Sequence, residues 1–185
     1  MAKRQRPRGD GAANAAPGDD PVGRLVGQWA AERPDLDLAA MATVGRLLAV
    51  SRLVGDELGA MAARHGLDVS EGDLLFTLRR AGSPYRLTPS ALSRSLLVSS
   101  GTLTSRLDRL ERKGLVERAA NPSDRRSVEV ALTDTGRELV DEVVTEHVRN
   151  EREMLGGLDP GEIDDLNALT TKLLAHLRAR ARERA

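Results

Sequence analysis

The sequence contains no cysteine, and only three of its 185 residues are aromatic: Trp29, Phe76 and Tyr85. Without cysteine, the protein has no disulfide bonds, no thiolate zinc site and no cysteine nucleophile, and a reducing cytoplasm suits it. Because 40% of the residues are nevertheless hydrophobic, the core has to be built from leucine, valine and alanine. This composition favours one domain made mainly of helices.

Long apolar runs are also missing from the sequence. No segment approaches the roughly 18 apolar residues of a membrane span, and the basic N-terminus lacks the apolar stretch of a signal peptide. We therefore expect a cytoplasmic protein with no membrane partner. The three histidines, His65, His147 and His176, lack metal-ligand spacing. No nucleophile–base pair or phosphate loop appears either, so an enzyme is the least favoured class, and we expect no cofactor.

The charge is balanced overall but unevenly distributed. The formal net charge is zero, yet residues 85–130 carry nine basic and five acidic side chains, a net charge of +4. Residues 135–167 carry ten acidic and three basic side chains, a net charge of −7. A basic middle beside an acidic segment indicates one surface for an anionic partner and another for a different task.

The pattern of helix signals divides the chain into five segments. Residues 1–20 are predicted to be a disordered basic tail and residues 21–34 an extra N-terminal helix. Residues 35–68 and 134–182 form long, largely apolar helices, which we expect to mediate dimerisation. Residues 69–133 combine short helices with a hairpin, so the predicted fold is mostly α with a small β wing.

Capping residues and leucine stripes predict the helices of the central segment. Ser70 is predicted as an N-cap with Asp73 at the capping-box position. The dipeptide Thr88–Pro89 opens the next helix, and its expected buried face is Leu92, Leu96 and Leu97.

The following helix, residues 101–113, has the features of a DNA recognition helix. Leu103, Leu107 and Leu110 form one narrow apolar stripe that can hold the helix against a core. The rest of the helix surface is polar, and small hydroxyls and guanidinium groups are the side chains that read base edges and phosphates. We therefore predict that DNA is contacted by Ser99, Ser100, Thr102, Thr104, Ser105, Arg109 and Arg112.

Two predicted strands, residues 115–118 and 127–132, follow the recognition helix and are joined by a turn at residues 121–124. Arg125 and Arg126 lie near the tip of this hairpin, where an arginine can enter a narrow minor groove. The order of helix, turn, helix and basic hairpin predicts a winged helix-turn-helix domain that binds double-stranded DNA.

The same residues resemble the MarR family of bacterial transcriptional regulators. The resemblance spans about residues 36–180 and rests on Ser99–Gly101, Leu103–Glu111, Lys113–Val116, Pro122–Arg126 and Leu132–Gly136. It implies a homodimer joined by the N- and C-terminal helices. It also implies binding to a pseudo-palindromic site whose halves lie about one helical turn apart.

A narrower resemblance concerns a subgroup of the family that responds to urate. This subgroup has a tryptophan in an extra N-terminal helix, an aspartate in the second main helix and two arginines. Trp29, Asp73, Arg106 and Arg118 stand in the matching context here, although the short segment after Trp29 departs from the pattern. The resemblance implies that these four side chains bind urate, whose ring and oxygens suit an aromatic partner and guanidinium groups.

Two other functions stay open at this point. The regulator could respond to a different small anion, such as a phenolic carboxylate or a tricarboxylate. Alternatively, the domain could be a protein-interaction scaffold whose wing never touches DNA, in which case loss of the basic wing residues would be harmless.

Overall fold

The computed structural model of the chain describes residues 20–121 and 124–184, with side chains for residues 20–120 and 128–184. The predicted tail lies outside these residues except for Asp20, which is the N-cap of the first helix. The elements follow one another as α1 (Pro21–Glu32), α2 (Ala39–Arg64), α3 (Val69–Arg80), β1 (Arg86–Leu87), α4 (Pro89–Leu96), α5 (Ser100–Arg112), β2 (Val116–Asn121), β3 (Asp124–Leu132), α6 (Asp134–Met154) and α7 (Pro160–Glu183).

The described residues divide into two compact units, one of residues 20–51 with 152–184 and the other of residues 52–151. The second unit contains α3 to β3 and the hydrophobic core. Leucine and valine build this core, as the composition predicts, and its fully buried members come from α3, α4, α5, β3 and α6: Leu74, Leu75, Leu78, Leu92, Leu110, Val130 and Val140. The core therefore lies directly behind the helix-turn-helix.

A three-stranded antiparallel sheet closes the second unit, with β3 between β1 and β2. Leu87 of β1 faces Val130 of β3, and Val116 of β2 faces Leu132 of β3. The β2–β3 hairpin is the predicted wing, and its strands extend further towards the tip than the sequence pattern indicates. A register shift at Ala120 and Asn121 marks the end of regular pairing near that tip.

Two details of the central helices differ from the sequence-based expectations. The N-cap of α3 is Asp68, not Ser70, and Glu71, not Asp73, completes the capping box. Asp68 begins the helix two residues earlier because its carboxylate accepts the N–H of Glu71. Leu97 is 84% exposed and not buried, because α4 ends there in a left-handed conformation with φ of 54°. The helix ends before Leu97, so the Leu97 side chain does not continue the buried face of α4.

In the first unit, α1 is bonded to the first half of α2. The Oδ1 of Asp20 accepts the N–H groups of Val22 and Gly23, while its Oδ2 pairs with Nη2 of Arg46 at 2.7 Å. A Cβ at Gly45 would lie 2.8 Å from Val22, so the absence of a side chain there permits the close approach. One carboxylate therefore both begins α1 and fixes it to α2.

Over the described residues, no helix combines the length and the hydropathy needed to cross a membrane.

Candidate nucleic-acid interface and ligand site

Helix α5 has one face in the core and the opposite face in solvent. Leu103, Leu107 and Leu110 are at most 2% exposed. Four side chains assigned to DNA from the sequence lie on the exposed face: Thr102, Thr104, Ser105 and Arg112. The leucine stripe thus fixes which side chains α5 presents outward.

The hydroxyl groups predicted to contact DNA form hydrogen bonds with the backbone at the start of α5. Ser99 is the N-cap, and its Oγ accepts the N–H of Thr102 at 3.3 Å. Thr104 donates to the carbonyl of Ser100, and Ser105 donates to the carbonyl of Thr102, both at 3.0 Å. These exposed hydroxyls use their protons locally, and their oxygens remain able to accept hydrogen bonds from base amino groups.

Arg109 is placed differently from the other residues assigned to DNA. Its side chain is 38% exposed, and it forms ion pairs with Asp68 and Glu71 at the start of α3, both at 3.1 Å. Lys113, which follows α5, also binds Glu71, with Nζ 2.7 Å from Oε2. Sequence analysis missed Asp68, Glu71 and Lys113 as functional candidates. The Asp68-x-x-Glu71 capping box is present in the sequence and could have identified the two acids at the start of α3.

The pKa of Glu71 reflects this environment. Burial raises the pKa of this carboxyl group, but hydrogen bonds from Lys113, from the Asp68 N–H and from Arg109 outweigh burial and hold it below its usual value. Glu71 is therefore ionised at neutral pH, and the cations of α5 face a negative charge.

The wing is connected to α5 through Arg118 on β2. The guanidinium of Arg118 contacts Asp108 at 2.6 Å and also pairs with Glu111, and the side chain is 30% exposed. Its hydrogen bond to Asp108 is the main reason that the pKa of Arg118 is raised. Arg125 and Arg126, assigned to the wing tip, lie outside the residues whose side chains are described.

The residues assigned to urate are divided between the two units: Asp73, Arg106 and Arg118 lie in the second unit, and Trp29 lies in the first. Asp73 lines a cavity of ≈ 30 Å³ whose walls are mostly apolar, including Leu58, Met61, Phe76 and Val143. Neither Arg106 nor Arg118 belongs to that lining.

Arg106 lies on α5, partly exposed, and makes no side-chain hydrogen bond or ion pair with any residue that the structure describes. Trp29 lies on α1 in the other unit, where it is 46% exposed. Among the described residues, the Arg106 guanidinium on the reading helix has no ionic or hydrogen-bonding partner, whereas the Arg118 guanidinium is bound to two carboxylates.

No group of three histidine, aspartate or glutamate side chains within residues 20–120 and 128–184 is arranged to hold a metal ion. His65 instead pairs with Glu146, Nε2 to Oε2 at 2.6 Å, and the ring of His147 contacts that of Phe76 with centroids 5.2 Å apart.

A comparison with known proteins assigns the family. The family model described as MarR family matches residues 65–127. The HTH-type transcriptional regulator PecS of Dickeya dadantii is 44% identical over 156 residues, which cover 84% of this chain and 94% of that protein. This chain belongs to the MarR family. Its relatives are transcriptional regulators and not enzymes, in agreement with the sequence analysis, in which an enzyme is the least favoured class.

Solved structures of this MarR family confirm the winged helix-turn-helix fold. The crystal structure of AbsC, a MarR family regulator of Streptomyces coelicolor, matches with a TM-score of 0.70 and 26% identity, over 78% of this chain and 97% of AbsC. A cysteine-to-serine mutant of Escherichia coli MarR in complex with operator DNA matches with a TM-score of 0.64 and 29% identity, over 74% of this chain and 97% of that one.

Proposed function

We propose that this MarR family regulator binds a pseudo-palindromic operator as a homodimer, represses transcription and is released by a small anion, with urate as the best candidate. The observation that carries the DNA-binding part is the exposed, hydroxyl- and guanidinium-bearing face of α5, held outward by three buried leucines. The similar Escherichia coli protein was solved with operator DNA bound. Such a regulator acts where the chromosome lies, in the cytoplasm.

Exposed apolar side chains on α1, α2 and α7 support the proposed dimer. Residues of these helices that a soluble monomer would normally bury are more than a third exposed in the single chain: Leu25, Met41, Val44, Leu48, Leu166, Leu169, Leu173, Leu174 and Leu177. Exposed apolar surface of this extent is typical of a protein–protein interface. A two-fold dimer presents two copies of α5, which matches the symmetry of a pseudo-palindrome.

DNA binding is tested by fluorescence anisotropy with labelled DNA from upstream of the protein's own gene, over a series of salt concentrations. Arg112 is exposed on the reading face. The slope of log K against log salt is negative, and we expect Arg112→Ala to make it less steep by about 0.9, which corresponds to the loss of one phosphate contact. Arg52→Ala removes the same charge from α2 and serves as the matched control, with no change of slope. Absence of any binding at low salt would favour the scaffold function.

The ligand part rests on the chemistry of four side chains. A purine anion needs an acceptor for a ring N–H, which Asp73 offers, and guanidinium groups for its oxygens, which Arg106 and Arg118 offer. Trp29 supplies a flat aromatic surface. The apolar lining of the cavity beside Asp73 favours a flat aromatic anion over a tricarboxylate.

Release of DNA follows if the ligand binds best to a conformation other than this one. The cavity at Asp73 has room for about two water molecules, so a purine fits only after side chains move. Arg118 has to leave Asp108 and Glu111 before it can bind a ligand oxygen. Because both acids are on α5, a ligand that captures Arg118 removes these ion pairs between the wing and the reading helix, and its differential affinity shifts the population away from the DNA-binding state.

Titration calorimetry with urate tests the ligand assignment. Asp73→Asn and Arg106→Ala are each expected to weaken urate binding at least about tenfold, the loss of one charged hydrogen bond. Arg94→Ala removes an exposed cation from α4 and is the matched control. Unchanged urate affinity in both test variants would refute the assignment. Binding of a phenolic carboxylate but not of urate would replace the ligand and keep the regulator.

A further inference from the structure

Glu71 is a buried carboxylate bonded mainly to the reading helix. Only 2% of its surface is exposed. Its Oε1 accepts a hydrogen bond from Nε of Arg109 at 3.1 Å, and its Oε2 accepts from Nζ of Lys113 at 2.7 Å and from the N–H of Asp68 at 3.0 Å. A buried charge is tolerated only where it is paired and hydrogen-bonded. Here the two cationic partners, Arg109 and Lys113, lie at the C-terminal end of α5 and directly after it.

Asp68 and Gly66 extend the same contact. The Oδ2 of Asp68 accepts from Nη2 of Arg109 at 3.1 Å, and the carbonyl of Gly66 accepts from Nζ of Lys113 at 2.8 Å. Arg109 therefore binds two acids at the start of α3, and Lys113 binds one acid and the turn that ends α2. We call Asp68, Glu71, Arg109 and Lys113 the α3–α5 clamp, and its formal charge is zero.

The clamp supplies what the leucine stripe of α5 lacks. Burial of Leu103, Leu107 and Leu110 is favourable but non-directional, so the stripe alone leaves the helix free to rotate or slide slightly against the core. Charged hydrogen bonds fix donor and acceptor atoms in distance and direction. Small shifts matter at this position, because base readout requires side chains placed to within about 0.5 Å.

We infer that Glu71 is a positioning residue for DNA recognition: it orients the reading helix through Arg109 and Lys113, and Arg109 does not bind a DNA phosphate. The inference rests on the proposed DNA-binding function, and it reassigns Arg109 from direct contact with DNA to contact through Glu71.

The Glu71→Gln substitution is expected to change DNA affinity in opposite directions through its charge and through its effect on helix position. Glu71→Gln makes the protein more positive near the reading helix, which by itself raises the affinity for any DNA. Loss of the clamp geometry lowers the affinity for the operator without lowering that for unrelated sequences. Glu71→Gln is therefore expected to reduce the ratio of operator to scrambled-sequence affinity by about tenfold, the loss of one charged hydrogen bond.

The salt dependence of operator binding separates positioning from phosphate contact. Arg109→Ala is expected to weaken operator binding while leaving the slope of log K against log salt unchanged, since no counterion is released at a residue that does not touch phosphate. Arg112→Ala provides the comparison in which the slope falls. Arg79→Ala is the matched control, because Arg79 also forms an ion pair with a carboxylate, Asp141, at 2.7 Å and away from α5.

Each outcome decides the matter. An unchanged slope for Arg109→Ala with reduced operator preference supports the inference. A slope lowered by about one in Arg109→Ala, or an operator preference that Glu71→Gln leaves intact, overturns it while the wild type still binds DNA. Failure of the wild type to bind DNA overturns the proposed function instead. If Glu71→Gln fails to fold, the Arg109→Ala variant alone tests the inference. In that variant Glu71 keeps its hydrogen bonds with Lys113 and Asp68, so we expect the protein to fold.

Discussion

Gly136, in the first turn of α6, offers the sharpest test of how the wing is attached. A Cβ at this position would lie 1.9 Å from the carbonyl oxygen of Leu115 and 2.8 Å from its carbonyl carbon. Both atoms are backbone at the start of the wing, and no rotamer change relieves the overlap. The same carbonyl accepts the N–H of Thr133 at 3.2 Å, and the Thr133 hydroxyl donates to Gly114 at 2.7 Å.

Gly136→Ala therefore forces α6 and the wing apart by more than about 1 Å, with an overpacking cost of roughly 1–3 kcal/mol. A shift of this size also breaks the two Thr133 hydrogen bonds, each worth about 1 kcal/mol. We expect the free energy of unfolding to fall by about 3–5 kcal/mol, a large share of the 5–15 kcal/mol of a typical domain.

Urea unfolding followed by circular dichroism measures this loss. Gly55→Ala is the matched control, since a Cβ there meets nothing within 4 Å and α2 continues on both sides. We expect Gly55→Ala to be neutral or stabilising by up to about 1 kcal/mol. A Gly136→Ala variant as stable as the wild type would refute the close approach of α6 to Leu115.

Three further predictions follow from burial, charge and backbone conformation. Because the pKa of Glu71 is lowered, its contribution to stability is present above its unfolded pKa of about 4.3 and is lost as the pH falls through its folded pKa. In urea unfolding at several acidic pH values, the free energy of unfolding of Glu71→Gln should therefore depend less on pH than that of the wild type. An identical pH dependence in the two proteins would contradict this. Leu97→Asn should raise the free energy of unfolding by about 0.5–1 kcal/mol in the same assay, since the left-handed backbone disfavours leucine and the exposed side chain loses no packing; a loss of stability would show that Leu97 is packed. Leu169→Asp should convert the dimer to a monomer in sedimentation velocity, because the exposed α7 face is the proposed interface; an unchanged dimer would place the interface elsewhere.

Much of the fold could be predicted because leucines at helical spacing leave little choice of buried face. The stripes at Leu74 to Leu78 and at Leu103 to Leu110 are buried as the sequence indicates. Leu97 shows the limit of that reasoning, since it is assigned to the buried face together with Leu92 and Leu96 but lies one residue past the helix. Periodicity locates a face reliably and a helix end poorly, because the end depends on backbone conformation.

The candidate site was less predictable, because ion pairs between helices depend on tertiary distance. Thr102, Thr104 and Arg112 lie on the exposed face, where a helical projection places them. Arg109 projects to the same polar surface, yet it reaches acids 38 and 41 residues away along the chain. No residue near Arg109 in the sequence indicates these two acids, whereas the capping box of Asp68 and Glu71 indicates the start of the helix on which they lie.

Release from DNA by a small anion is the property that defines the proposed regulator, and it can be measured in a single titration. The purified protein is bound to labelled DNA from upstream of its own gene at fixed salt, and urate is then added. We predict that the DNA is bound without urate and released as urate is added, and that the Asp73→Asn variant requires more urate for release. DNA binding that urate leaves unchanged would contradict the ligand assignment, and no DNA binding at low salt would contradict the proposed function itself.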